Sequence, residues 1–388
     1  MNSRFLYELI YLSIIWFLSI FAIGVDLKVF GLESQKLILI VCMLQIVLSL
    51  SYQKLVLKLN VNIIFSYILI GAFFCLCTLR VSGTISTKPY LTDWDIQNFN
   101  GLIFIFLIYF SLNTIKDEVV YYFYYNTLPY IVIISIILIL YSNLDVFSAI
   151  QQSAGKLTTE MRLGSSREVN NINYWSMSIG ILPAILLYFS KRNMVVYIAI
   201  SLLMISLLST FSRSGMLVAL LAILIPQLKS LRLSYCFFTF LLLYIIVFMT
   251  QQYFPESIIY QRFHSIFTGG DASALGRFSV YENIYNNYES YLLGYGADFQ
   301  KVLSHPTESF NVSSFIVLGG GAVFFIPFFL AINYFESSKN EMAKKLSHIP
   351  FLIFLIWFLD DPFFSGALAV SFASYQRFIS LNNPKQVP

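Results

Sequence analysis

Residues 194–228 read MVVYIAISLLMISLLSTFSRSGMLVALLAILIPQL, two apolar runs broken by one polar knot, Ser209-Thr210-Phe211-Ser212-Arg213-Ser214-Gly215. Crossing about 30 Å of hydrocarbon takes roughly 20 apolar residues in a helix. The runs at 194–211 and 214–228 therefore read as two spans joined with almost no loop. Both are short, which puts Arg213 at or just below an interface. A charge at that depth is costly unless it is paired or faces water. The flanking hydroxyls suit a guanidinium, and Gly215 allows the backbone to turn tightly. The alternative is an ordinary helical hairpin whose arginine snorkels to the headgroups.

Similar apolar runs recur throughout the 388 residues, which are 58% hydrophobic, 18% aromatic and 11% charged. Ordinary soluble domains carry about 25% charged residues, and a soluble core cannot absorb this much apolar sequence. Twelve spans are expected, at about 5–23, 36–52, 61–79, 97–114, 127–142, 174–190, 194–211, 214–228, 233–250, 311–332, 346–360 and 363–380. The chain thus reads as all-α and polytopic, a single integral membrane domain over 1–388. The first run follows Arg4 without a small-residue cleavage site and reads as a retained anchor. Asp360-Asp361-Pro362 is either a loop between two spans or a re-entrant turn. No soluble second domain or internal repeat is evident. Phosphate-binding glycine patterns are missing too, which argues against a nucleotide-driven pump.

Lysines and arginines set the orientation. With the N-terminus inside, the short inner loops collect Lys54, Lys58, Lys191, Arg192, Lys229, Arg232, Lys339, Lys344 and Lys345, with Arg377 and Lys385 on the same side. The spans are then expected to be nearly free of buried charge, Asp360 and Asp361 apart. Two large external loops result, 143–173 and 251–310, with a smaller one at 80–96. Six arginines fall outside: Arg80, Arg162, Arg167, Arg213, Arg262 and Arg277. Arginine grips phosphate through a planar fork of donors, whereas lysine is a hydrated point charge. An outer cavity that handles an anion accounts for the set; headgroup anchoring accounts for any single member.

Cys42, Cys75, Cys77 and Cys236 all lie within expected spans and read as small buried apolar residues. The three histidines, His264, His305 and His348, show no metal-ligand spacing. Neither a metal nor another cofactor is expected, and nothing points to nucleic acid.

The loop 251–310 carries two further constellations. Asp271-Ala272-Ser273 offers a helix start and Gly294 a stop. Between them Arg277, Tyr281, Ile284, Tyr288 and Tyr291 recur at helical steps on one amphipathic face. Tyrosines at such a surface either anchor in headgroups or stack on sugar rings. Further on, Leu303-Ser304-His305-Pro306-Thr307-Glu308-Ser309-Phe310 sets an imidazole and a carboxylate three residues apart, just before an apolar run. An unperturbed imidazole titrates near pH ~6.5 and suits general base work. Gly319-Gly320-Gly321, inside that run, suits close helix packing.

The order of these motifs resembles the bacterial O-antigen polymerase and O-antigen ligase superfamily. The likeness rests on the Ser212-Arg213-Ser214-Gly215 knot after a middle span and on Gly276-Arg277. It continues with Leu293-Gly294-Tyr295-Gly296 and with His305 before a glycine-containing span. Architecture matches over the whole chain, motifs only over about 209–321. The chain departs from the family at Pro306, where asparagine often follows the histidine. It also lacks the arginine-to-glycine loop repeats of some polymerases.

The resemblance implies a glycosyltransferase C-like fold in the bacterial inner membrane, with its site facing the periplasm. It implies that Arg213 and Arg277 bind the pyrophosphate of an undecaprenyl-linked oligosaccharide. His305 or Glu308 would take the acceptor's proton. Tyr281 and Tyr288 are candidates for sugar contacts. Arg80, Arg162 and Arg167 are candidates for secondary phosphate or acidic-sugar contacts on physical grounds alone. Membrane lipids are partners, and a chain-length regulator protein is a further candidate partner. The aromatic-rich composition and divergent histidine motif favour polymerase over ligase. A flippase for lipid-linked repeats is the rival from another class.

Overall fold

The computed structural model describes residues 3–22, 34–52, 59–84, 93–143, 172–191, 193–210, 212–229, 282, 285–286, 321–359 and 366–381. All regular structure among these residues is helical. The chain begins with α1 (Ser3–Phe17), extended by a π-helical turn (Leu18–Ala22), then α2 (Ser34–Tyr52), α3 (Val61–Thr84) and α4 (Asp93–Leu112). Next come α5 (Asp117–Tyr122), a second π-helical turn (Phe123–Thr127), α6 (Leu128–Ser142), α7 (Ile172–Gly180) and α8 (Leu182–Phe189). The remainder is α9 (Met194–Ser209), α10 (Arg213–Lys229), α11 (Gly321–Ser338), α12 (Glu341–Lys344), α13 (Ile349–Leu359) and α14 (Gly366–Ile379).

Among the described residues, three helices are long and apolar enough to cross a membrane: Ser3–Phe21, Asp117–Ser142 and Gly321–Ser338. Shorter apolar helices accompany them, among them Gln35–Ser51, Trp175–Phe189 and Met194–Ser209. Their outward faces are apolar as well. On α6 Val132, Ile136 and Ile139 are buried while Tyr130, Ile134, Ile137 and Tyr141 are exposed. The outer face of α2 likewise shows Met43, Leu44, Val47 and Leu50. A soluble surface does not tolerate so continuous an apolar belt, whereas lipid solvates it.

Every expected span that the described residues reach contains helix, and 233–250 lies outside them. The expected ends need three corrections. The expected inner loop over 115–126 is almost all helix, because α5 and the π turn run straight into α6. Asp117 and Glu118 in its first turn favour a helix start through the macrodipole. The expected external loop at 80–96 is shortened from both sides, since α3 continues to Thr84 and α4 begins at Asp93. The expected span 174–190 is two helices, broken at Ile181. Pro183 sits in the first turn of α8, where its lack of an N–H removes a helix bond.

Pro129 has a comparable effect beside the second π turn. Proline cannot donate to the carbonyl four residues back, and Leu128 N–H reaches Phe123 O instead. The carbonyls of Tyr124 and Tyr125 are thereby released from the ladder. They are taken from outside the helix: Ser190 Oγ donates to Tyr124 O (2.8 Å) and Lys191 N–H to Tyr125 O (2.9 Å). The end of α8 is fixed on the middle of the Asp117–Ser142 helix by two bonds that a proline made necessary.

At the centre stands α14, all 14 of whose residues are buried. At about 1.5 Å per residue it is roughly 21 Å long, enclosed by protein rather than lipid. It packs on α4, α7, α11 and the first π turn. Several of its polar groups find partners on α3, α11 and the second π turn. Tyr67 OH donates to Gln376 Oε1 (2.7 Å), Gln376 Nε2 to Asn333 Oδ1 (2.9 Å) and Tyr375 OH to Asn333 O (3.1 Å). Trp16 Nε1 donates to Tyr124 OH (3.1 Å), which in turn donates to Ser374 Oγ. The Asn340 amide caps the far end, donating to Leu381 O (2.9 Å) and Phe378 O (3.2 Å).

One buried side chain therefore serves two others. Tyr124→Phe is expected to lower stability by about 1–3 kcal/mol, the cost of stranding buried polar groups, measured by unfolding the solubilised protein in SDS-containing mixed micelles. A change within error would mean that Trp16 and Ser374 find other partners.

Candidate functional site

Asn193 caps α9, its Oδ1 accepting Val196 N–H (3.2 Å). The helix starts beside the Lys191–Tyr125 bond and runs for 16 residues, about 24 Å. Its far end therefore lies at the opposite end of the bundle, where the polar knot turns the chain into α10. Thr210 Oγ1 donates to Leu207 O (2.6 Å) and accepts Ser212 N–H (3.2 Å). Ser212 is the N-cap of α10: its Oγ accepts Gly215 N–H (3.3 Å) and its carbonyl accepts Met216 N–H (3.2 Å). Ser214 Oγ adds a contact to Ser212 Oγ (3.1 Å). The knot's hydroxyls hold backbone; the Arg213 side chain, which the sequence suggests they would hold, lies outside what is described. Arg213 is the first residue of α10.

Gly215 also differs from expectation. It lies inside the first turn of α10 rather than at a bend, and it is buried. A Cβ there would come within 2.6 Å of Ser176 Cβ and 2.9 Å of Ser176 C on α7. One turn along α7, a Cβ on Gly180 would meet Gly215 O at 3.0 Å and Ala219 N at 3.2 Å. The two helices approach backbone to backbone, which is what small residues permit. Trp175, beside Ser176, donates from Nε1 to Ile20 O (3.3 Å) in the first π turn. The N-terminus of α10 is thus seated on a packed corner formed by α7 and the end of the first helix.

Electrostatics at that corner are unusual. The N-terminus of a helix carries about half a positive charge, and a cation there is disfavoured by about 0.3–1 kcal/mol unless an anion shares the site. A helix N-terminus and a guanidinium together suit phosphate.

Of the nine candidate residues, the structure places the backbone of two. Arg213 opens α10 and Arg80 lies in α3, on helix rather than in a loop. Arg162, Arg167, Arg277, Tyr281, Tyr288, His305 and Glu308 lie outside the described residues, as do Asp360-Asp361-Pro362. Near them, Glu282, Tyr285 and Asn286 are helical and exposed. Gly321 does serve close packing: a Cβ there would lie 2.7 Å from Phe73 Cε2 on α3. Cys42 is buried beside Tyr11 OH, but Cys75 is exposed, contrary to expectation.

The interior also holds charges that sequence reading missed, and they sit at the end of the bundle away from Arg213. Glu8 is 2% exposed, Glu336 7% and Arg377 1%. Asn60 and Asn62 donate to the two oxygens of Glu336 (2.9 and 2.7 Å), and Lys339 adds a salt bridge. Arg377 pairs with Asp117 Oδ1 at 2.7 Å. Their signal was local: Asn333, Glu336 and Ser337 share a helix face at three- and four-residue steps. Each of these charges ties separate segments of the bundle together.

Comparison with family models, with curated proteins and with solved structures finds no match to the chain.

Gly215→Ala is expected to push α10 off α7 and lower stability by about 1–3 kcal/mol, the usual cost of overpacking. Adding Ser176→Gly removes the side-chain part of the clash and is expected to restore some of that loss. Equal unfolding curves for wild type and Gly215→Ala would show that the corner yields freely.

Proposed function

We propose that the protein is a membrane glycosyltransferase that acts on a glycan carried by undecaprenyl pyrophosphate at the outer face of the bacterial inner membrane. The observation that carries this reading is Arg213 at the capped N-terminus of α10, on the end of the bundle away from Lys191. A cation set against a helix dipole is best explained by an anion that binds both. The loop arginine Arg277, from the resemblance, supplies the second guanidinium.

The reaction follows from that charge arrangement. An acceptor hydroxyl attacks the anomeric carbon of the donor's reducing-end sugar, and the bond from that carbon to the pyrophosphate oxygen breaks. The electron pair leaves with the lipid pyrophosphate, where the guanidinium groups stabilise the developing charge. His305 or Glu308 receives the hydroxyl proton. Tyr281 and Tyr288 give the glycan faces to stack on. When the acceptor is another lipid-linked repeat, the product is a polymer; we favour this over transfer to lipid A–core. A chain-length regulator is the protein partner to look for.

Arg213→Ala is expected to reduce polymer formation by about 10²–10³-fold, the scale seen for loss of one fixed transition-state donor, at unchanged protein level. Arg213→Lys is expected to recover part of it. In a source that makes O-antigen, the deletion strain's lipopolysaccharide gel is expected to show core with a single repeat and no ladder. Core with no repeat would point to ligase or flippase, and a normal ladder would refute the proposal.

A further inference from the structure

Glu8 on α1 and Arg377 on α14 stand near opposite ends of the sequence, yet both act on one short turn between α4 and α5. Glu8 Oε2 accepts Lys116 N–H (3.1 Å) while its Oε1 accepts Arg4 Nε–H (2.6 Å). From the last helix, Arg377 Nε donates to Leu112 O (3.1 Å), and its Nη2 donates to Ile115 O (2.9 Å) and Asp117 Oδ1 (2.7 Å). The carboxylate holds an amide of the turn, and the guanidinium holds the Ile115 carbonyl and shares the Leu112 carbonyl with a backbone N–H. Each charge meets the end of the peptide dipole opposite to it in sign.

The turn's own bonds are short-range: Thr114 N–H and Oγ1 reach Ser111 O, and the N–H groups of Val119 and Val120 reach Lys116 O. Gln45 Oε1, Asn113 Oδ1 and Arg377 Nη1 are buried there without a hydrogen-bond partner among the described residues. Gln45 does reach Thr114 Oγ1 through its Nε2 (3.0 Å), and Asn113 Nδ2 returns to Tyr109 O (2.7 Å). Those bonds fix neither Lys116 N–H nor the Ile115 carbonyl, and the Leu112 carbonyl has only Ile115 N–H (3.3 Å) beside Arg377. We infer that the first and last helices of this protein dock as one cooperative unit, coupled through residues 112–117 although Glu8 and Arg377 share no bond.

The physical basis is that a turn fixed from one side presents its other groups in place. With Glu8 bound, the carbonyls of Leu112 and Ile115 already point where Arg377 can meet them, and the reverse holds too. Losing either clamp loosens the turn, so losing the second then costs less. Sub-additivity is the sign of such sharing.

The test uses the full chain in detergent, with Glu8→Gln, Arg377→Lys and the double variant compared by equilibrium unfolding. Each single change is expected to lower the folded-to-unfolded ratio by about tenfold or more, as for damage to a buried ion pair. The double is expected to fall well short of the product of the two factors. Amide exchange over 112–117 is expected to rise in both single variants. Multiplicative effects, or a turn that stays protected in both singles, would overturn the inference. Should Arg377→Lys not accumulate, Asp117→Asn weakens the same clamp from its other side and completes the cycle with Glu8→Gln. None of these residues belongs to the proposed glycosyl-transfer site, so the outcome is independent of that reading.

Discussion

A guanidinium 1% exposed inside an apolar bundle is the constraint around which this protein is arranged. Burying an ion costs several kcal/mol unless its partners are in place, and Arg377 recovers that cost from the carbonyls of Leu112 and Ile115 and from Asp117. All three belong to the α4–α5 turn. The last helix therefore has one seat, and that seat exists only once α4 and α5 have formed. The rest of α14 follows from this placement: Gln376 faces Tyr67 and Asn333, Ser374 faces Tyr124, and the small residues near its start leave room for neighbours on every side.

The same logic recurs wherever the helical ladder is broken. In lipid no water is present to take a free carbonyl, so each must be met from elsewhere in the protein. Pro129 frees Tyr124 O and Tyr125 O, and the 190–191 segment closes on them. The end of α14 frees carbonyls, and Asn340 takes three of them. Tertiary contacts in this bundle are specified less by apolar shape, which is similar along every helix, than by which backbone groups are left open.

That division explains what the sequence made legible. Apolar runs locate helices well because lipid and protein interior both accept them. They fail at helix ends, since hydrogen bonding continues wherever the backbone permits. Thus 115–126, left between two expected spans, is helical from Asp117 onward. Glu8 and Glu336 do not stand out in the sequence, and Arg377 reads as an inner-side charge, because a sequence shows no distant partner: Glu336 meets Asn60 and Asn62, which precede it by more than 270 residues. Arg213 was legible because its context is local, two apolar runs and four hydroxyls within six residues. Its capping could be read from the sequence too, whereas the pressure of Ser176 on Gly215 could not, since it depends on how α7 meets α10.

The two ends of the bundle use charge in opposite ways. At the α4–α5 end, acids and bases turn inward and each is met by a partner or by backbone, which suits groups that hold helices. At the α10 end, the backbone around Arg213 is satisfied without it: Ser212 supplies the cap, Thr210 steadies Ser212, and Gly215 sits closed against Ser176. No capping need calls for an arginine at the first position of that helix, and the macrodipole opposes one there. An anchor for headgroups would do as well a turn away, where the dipole does not oppose it. An arginine at that position, on a corner fixed by packing, is the observation on which the proposed anion site rests.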